Sequence, residues 1–205
     1  MSNLQNYINE CIDPNFRDYK FSNDIIVTPF WRKDFCARML NECKNNSQHF
    51  HKDLNPYYMT EEIDLFDLDR VLFNCFSQHY QKHLIPFLQK FWRIGPEIKG
   101  ISSAYFIRYT QTSEKKRINI HTDDGHFSVY FKLNSDYGEG TLHFPRQNWN
   151  TRDVEVGHAI IWPSQLTHPH YSDDISWGEK YSFVCFNYKN DIPIEKKMPF
   201  GDDSR

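Results

Sequence analysis

Phe127-Ser128-Val129-Tyr130-Phe131-Lys132-Leu133-Asn134 is a short run of β-branched and aromatic residues that stops at a polar turn running from Asn134 to Gly140. A run of this length and composition, closed by turn residues, reads as a strand. The same texture continues on both sides of it. Candidate strands are Gly100 to Tyr109, Arg117 to His121, Phe127 to Leu133, Thr141 to Phe144, Asp153 to Val156, Ala159 to Trp162 and Tyr181 to Tyr188, with a further turn at Gly157. Many short strands separated by polar turns predict a sandwich or barrel.

Upstream of Ile98 the pattern is helical with one short strand. Ile25-Ile26-Val27 reads as extended, and Thr28-Pro29 as an N-cap followed by proline at the first helical position. The helix predicted after them runs to about Lys44, with Phe35, Met39, Leu40 and Cys43 on one apolar face. A second amphipathic stretch covers Asp69 to Trp92, where Pro86 is predicted to kink or interrupt the helix and Gly95-Pro96 to end the helical half. The fold class expected is therefore α+β, with N-terminal helices buttressing an antiparallel double-layered sheet. A chain of 205 residues suits one domain. Its parts are a helical support region over 1–97, a β core over 98–190 and a surface-running tail over 191–205.

Composition removes several function classes. A formal net charge of -3 leaves no basic footprint for nucleic acid, and Lys115-Lys116-Arg117 reads as a solvated turn. No apolar run approaches membrane-spanning length. Met1 to Lys20 has neither the apolar stretch of a signal peptide nor an Arg-rich transit pattern. Cys11, Cys36, Cys43, Cys75 and Cys185 are odd in number and contain no Cys-x-x-Cys pair, which predicts reduced thiols and a cytoplasmic location.

The chemistry concentrates in the β half. His121-Thr122-Asp123 places an imidazole and a carboxylate two residues apart, so on extended backbone both point to one face and one metal ion could touch both. A third ligand is available from His168 or His170 in Leu166-Thr167-His168-Pro169-His170, and spacing alone leaves that choice open. Two histidines and a carboxylate on one face of a metal leave positions free for a co-substrate and O2. Ten residues beyond His170 stands Lys180, in Gly178-Glu179-Lys180-Tyr181-Ser182.

This ordered set resembles the 2-oxoglutarate-dependent Fe(II) dioxygenases, and among them the prolyl and lysyl hydroxylases. The resemblance covers about half the chain. Besides His121, Asp123, His170 and Lys180, it includes the strand ending in Leu133-Asn134. It also includes the turn Gly138-Glu139-Gly140 before Thr141 to Phe144, and Gly157 to Pro163 before the distal histidine. Leu166-Thr167-His168-Pro169-His170 is similar to the Leu-Thr-His-x-His of lysyl hydroxylases. The ten-residue offset to Lys180 selects His170 as the third ligand and leaves His168 a supporting place.

The resemblance implies a double-stranded β-helix, jelly-roll or cupin-like, as the core. It implies Fe(II), 2-oxoglutarate and O2 as reactants, allows ascorbate as an accessory, and gives Lys180 the C5 carboxylate of 2-oxoglutarate, helped by Tyr109 and Ser182. The implied reaction is hydroxylation of an unactivated C–H bond with release of succinate and CO2, on a prolyl or lysyl residue of a peptide or protein. Free amino acids or small metabolites are the alternative substrates. Because Asp123 is present, halogenation is disfavoured. A catalytically silent cupin-type barrel holding zinc or manganese, or another metal-dependent enzyme on that fold such as an isomerase, competes with this reading. A lysine buried beside the metal distinguishes the oxygenase, since a silent barrel has no need of it. The other histidines, with Arg108, Trp162 and Trp177, read as packing or surface residues.

Overall fold

The computed structural model describes residues 8–50, 60–94, 98, 100–111 and 117–187. The elements that matter run in the order β1 (Lys20–Ser22), β2 (Ile25–Pro29), α1 (Lys33–Asn45), β3 (Glu61–Asp64), α2 (Leu65–Leu68), α3 (Arg70–Leu88), β4 (Ser103–Thr110), β5 (Phe127–Lys132) and β6 (Tyr137–Glu139). There follow β7 (Leu142–Phe144), β8 (Trp149–Asn150), β9 (His158–Pro163), β10 (Tyr171–Ser172) and β11 (Ile175–Asn187). The larger sheet has the order β1-β2-β9-β5-β11-β4-β3, and β10-β7-β8 form a smaller one. All of these pairings are antiparallel.

Period-two alternation sorts the large sheet into two faces. Ala104, Phe106, Val129, Phe131, Ala159, Ile161, Tyr181, Phe183 and Cys185 share one core with the helices. Between them in sequence, Tyr105, Ile107, Tyr109, Tyr130, Ile160, Trp162 and Val184 face the other way and join Leu142 and Phe144 of the small sheet in a second core. The helix-side core is aromatic: Trp31 stacks on Phe131 with centroids 4.0 Å apart, and Phe76 meets Phe183 edge-on at 4.9 Å. Each such ring contributes about 2 to 3 kcal/mol through burial, so the helices are held on the outer face as a firm backing. The inner face is left for chemistry.

β11 belongs to both layers. Its first residues pair with β6, Ile175 opposite Glu139 and Gly178 opposite Tyr137, with a bulge before Trp177. From Glu179 onward it pairs with β4, and from Ser182 it lies between β4 and β5. Two glycines make the close approaches. Gly157, at φ +89, would bring a Cβ to 2.2 Å from the Trp31 carbonyl oxygen. Gly140, at φ +67, would bring one to 2.8 Å from Ile175 and 3.3 Å from the Lys180 stem.

Several expected boundaries differ. Thr28 and Pro29 do not start a helix; they continue β2, with Pro29 opposite His158 at its end, where the missing N–H costs least. The helix begins at Lys33, after Arg32. β1 and β3 make the N-terminal part more than helical support. β3 is an acidic edge strand held by Arg108, which donates to Glu61 at 2.7 Å. α3 passes through Pro86 and ends at Leu88. Arg117 to His121 is irregular apart from one bridge at His121, and Asp153 to Val156 is a turn closed by Val154 N–H to the Thr151 carbonyl. Gly95-Pro96, Lys115-Lys116, Tyr188 and the tail lie outside the described residues. Among the described residues no helix is long and apolar enough to cross a membrane.

Candidate active site

His121 and His170 face each other across an isolated antiparallel bridge: each backbone N–H donates to the other's carbonyl, at 3.0 and 2.9 Å. A directly opposed pair puts both side chains on one face, and the two rings lie 4.3 Å apart. Asp123, two residues past His121, turns its carboxylate between them. Its Oδ1 is 3.3 Å from His121 Nε2 and 3.6 Å from His170 Nε2. Among the described residues this is the one group of three whose donor atoms gather as metal ligands do, all within 4.8 Å of one another.

The surroundings select the ligating state of each group. Nδ1 of His121 lies 2.8 Å from the Asn119 carbonyl, and Nδ1 of His170 lies 2.9 Å from that of His168. A carbonyl accepts only, so both Nδ1 atoms carry the proton and both Nε2 lone pairs aim at the site. Burial pushes the His170 imidazole below its ordinary pKa, which favours its neutral, ligating form. Phe144 stacks on its ring and Trp162 meets it edge-on, fixing its plane. Burial works against charge on Asp123, but the adjacent His170 and His121, in their protonated forms, and the Ser128 hydroxyl outweigh it and hold the carboxyl below the usual range.

Ser128, on the inner face of β5, donates to Asp123 Oδ2 and shares a 2.7 Å hydrogen bond with the Ser164 hydroxyl. The Asp123 carbonyl accepts from Gln165 N–H at 2.6 Å. The ligand loop is thus tied to the end of β9. Ser128→Ala is expected to weaken divalent-metal affinity by about 10- to 100-fold while the fold persists. Titration with Mn(II), followed by its magnetic resonance signal, measures this; unchanged affinity would remove Ser128 from the site.

The same cavity contains Lys180. It is lined by the three candidate ligands, Tyr109, Tyr130, Trp162, Lys180 and Ser182, with Glu62 and several aliphatic residues. Lys180 is only 2% exposed. Its Nζ donates to the Gly140 carbonyl at 2.8 Å and sits 4.6 Å from the Tyr109 ring and 5.8 Å from the Tyr130 ring. No carboxylate among the described residues forms an ion pair with it. Burial, reinforced by the charge of Lys132 and partly offset by Asp173, pushes its ammonium down to about 7.

Tyr109 is directly opposite Lys180 on β4. Ser182 Oγ is buried and without a hydrogen bond, although the Tyr130 hydroxyl faces it. A cation, a buried hydroxyl and two buried phenols fit a carboxylate. The silent-barrel alternative has no use for such a lysine.

All six residues singled out in the sequence converge on this cavity. His168 does not; its ring meets the Thr167 hydroxyl at 2.8 Å and the Asn23 carbonyl at 3.4 Å. His143 pairs with Asp173 at the small sheet, and Arg108 is committed to Glu61 and the Phe50 ring. Sequence reasoning missed Ser128, Tyr130, Ser164 and Glu62. The first two were available from alternation, since they fall on the same face of one predicted strand.

No family model matches the chain. It is 32% identical over 173 residues, 80% of its length, to a multifunctional procollagen lysine hydroxylase and glycosyltransferase of Caenorhabditis elegans. It is 24% identical over 191 residues to human procollagen-lysine,2-oxoglutarate 5-dioxygenase 2. It spans about a quarter of these relatives, 24% and 26% of their lengths.

Among solved structures, a prolyl hydroxylase from Trichoplax adhaerens in complex with a hypoxia inducible factor peptide fragment aligns with TM-score 0.62 at 13% identity. That alignment covers 91% of this chain and 87% of that one. A viral collagen prolyl hydroxylase from Paramecium Bursaria Chlorella virus-1, in its 2-oxoglutarate complex, aligns with TM-score 0.59 at 14% identity, over 80% and 95%. The shared fold is the double-stranded β-helix expected from the sequence. In sequence the chain is similar to procollagen lysine hydroxylases, and in fold to 2-oxoglutarate- and Fe(II)-dependent prolyl hydroxylases.

Proposed function

We propose that this chain is an Fe(II)- and 2-oxoglutarate-dependent hydroxylase acting on a prolyl or lysyl residue of a peptide or protein. One observation carries the reading: a buried lysine with no carboxylate partner among the described residues shares a cavity with a His-Asp-His ligand set. The names of its relatives, procollagen lysine hydroxylases, support a peptidyl substrate.

His121, Asp123 and His170 would hold Fe(II) through two Nε2 atoms and one carboxylate oxygen. When bound, the metal and 2-oxoglutarate supply the oxidising chemistry, in which 2-oxoglutarate and O2 give succinate, CO2 and a hydroxylated substrate. The protein's own part is positioning. Lys180 neutralises the distal carboxylate of the co-substrate, Ser182 offers it a hydrogen bond, and Tyr109 floors the recess. Phe144 and Trp162 keep water from the metal side of the pocket. Asp123 occupies the position a halide would need, which favours hydroxylation.

The decisive experiment is anaerobic titration of metal-free protein with Fe(II), with and without 2-oxoglutarate. A weak visible charge-transfer band that needs both is expected; tight metal binding without a band would favour the silent barrel. A pH dependence belongs to the same reading. A carboxylate placed beside Lys180 raises its pKa from about 7, so binding takes up a proton when the free site is deprotonated. The affinity for 2-oxoglutarate therefore falls as pH rises above about 7, until the raised pKa is passed. Titrations across neutral to mildly alkaline pH test this, and a pH-independent affinity contradicts the role given to Lys180.

A reducing, cytoplasmic setting is part of the proposal. It is supported by five free thiols, of which burial pushes Cys11 and Cys36 up to about 12.

A further inference from the structure

Among the described residues two buried indoles have no hydrogen-bond acceptor for Nε1–H, one in each core: Trp31 on the helix side and Trp162 on the inner side. Both are 1% exposed. A buried indole N–H ordinarily finds an acceptor, and without one it forfeits its hydration. Trp31 packs among Phe35, Phe76, Phe131 and Phe183, away from the cavity. Trp162 lines the cavity that holds the three candidate ligands and Lys180.

Trp162 stands at the metal end of that cavity. On β9 it is opposite Ser128, whose hydroxyl holds Asp123. Its ring lies 5.1 Å from that of His170. The co-substrate assigned to the cavity is a dicarboxylate, and Lys180 is the one lysine or arginine among the described residues that line it. Lys180 can meet only one end. The Tyr109 hydroxyl is engaged by Ser172, and the Tyr130 hydroxyl faces Ser182 at that same lysine end. The opposite carboxylate, beside the ligand set, is within the part of the cavity that Trp162 lines. An indole N–H donates only and has no lone pair to offer, so it neither ligates a metal nor acts as a base, and it suits an anionic oxygen.

We propose that Trp162 Nε1–H donates to the C1 carboxylate of 2-oxoglutarate and thereby positions the 2-oxo acid end of the co-substrate. This deepens the hydroxylase reading and rests on it. Burial favours the co-substrate over the peptide as the acceptor: the exposed part of the lining, where a peptide arrives, is at Asp124. Packing against Phe144 and His170 asks only for an aromatic ring; the nitrogen is what packing leaves unexplained.

The test removes the N–H and keeps the rings. Trp162→benzothienylalanine puts sulfur in place of the nitrogen, and Trp162→Phe carries the comparison should that variant fail to fold. The visible band is titrated anaerobically with 2-oxoglutarate and with millimolar 2-oxopentanoate, which keeps the 2-oxo acid and lacks the C5 carboxylate. Each variant is expected to bind both compounds about 10- to 100-fold more weakly, with Fe(II) affinity unchanged. Lys180→Met, in contrast, is expected to weaken 2-oxoglutarate alone. A second readout needs no turnover. In wild-type protein loaded with Zn(II), the indole 15N–1H signal of Trp162, identified by its loss in Trp162→Phe, is expected to move downfield on adding 2-oxoglutarate, while that of Trp31 stays.

A Trp162 signal indifferent to 2-oxoglutarate, wild-type affinity in the benzothienyl variant, or a loss confined to 2-oxoglutarate would each overturn the assignment; the last would put the donor at the C5 end. A signal that moves only when peptide is added would overturn it in favour of a substrate contact. Failure of the underlying oxygenase reading looks different. In that case wild-type protein gives no band with Fe(II) and 2-oxoglutarate.

Discussion

Asp123→Ala is expected to bring 2-oxoglutarate turnover down to background and to erase the Fe(II)-dependent visible band. Asp123 supplies the single carboxylate donor between two imidazoles, and its Oδ1 is the atom both Nε2 groups surround. Without it two nitrogen ligands remain, and no other described acid gathers with them to take its place. The variant should still fold, because the change lies in the ligand loop and leaves both hydrophobic cores intact. Ser128 loses its acceptor but keeps the Ser164 hydroxyl. Succinate release, metal stoichiometry and a melting curve measured together separate loss of a ligand from loss of the fold. Normal turnover in Asp123→Ala would dismiss the metal assignment.

Lys180→Met carries the second large effect. Methionine keeps most of the stem's volume and removes the ammonium, so the recess bounded by Gly140, Ile175 and the Tyr109 ring stays filled. The 2-oxoglutarate carboxylate would then be desolvated without a cation. The expected weakening is at least about a hundredfold in its KM and in the midpoint of band formation. Turnover at saturating co-substrate should suffer less, since the charge lies at the far end of the co-substrate from the reacting carbon. Fe(II) binding alone is expected to persist. A wild-type KM in this variant would show that the co-substrate is held elsewhere.

Much of this site was readable before any coordinates because its parts obey local rules. His121 and Asp123 share a face through two-residue spacing, and Lys180 with Ser182 do so for the same reason on β11. Alternation along Phe127 to Leu133 likewise separates the helix-facing Val129 and Phe131 from Ser128, which backs Asp123, and Tyr130, which lines the cavity.

What local rules missed depends on long-range pairing. Thr28-Pro29 has the chemistry of a helix start, but pairing with β9 keeps it extended. Glu61 to Asp64 is an unpromising strand by composition and exists because β4 offers an edge and Arg108 a counter-charge. Arg117 to His121 looked like a strand, yet only His121 is bridged, opposite the other candidate ligand. Glu62 was invisible for the same reason as β3: nothing in its neighbourhood along the chain announces that it faces a cavity.

The position of β11 bears on how the protein is made. Its neighbours β4, β5 and β6 all precede it in the chain, and β4 and β5 are joined in the sheet only through it. A nascent chain that has not yet delivered residues 175–187 therefore holds two hydrophobic strands with unpaired edges, open to any other extended segment. During synthesis the lysine for the co-substrate arrives on the same segment that seals those edges. Translation stalled before residue 175 should leave a species that lacks the pocket and binds chaperones, and release of β11 should complete the sheet and the recess in one step.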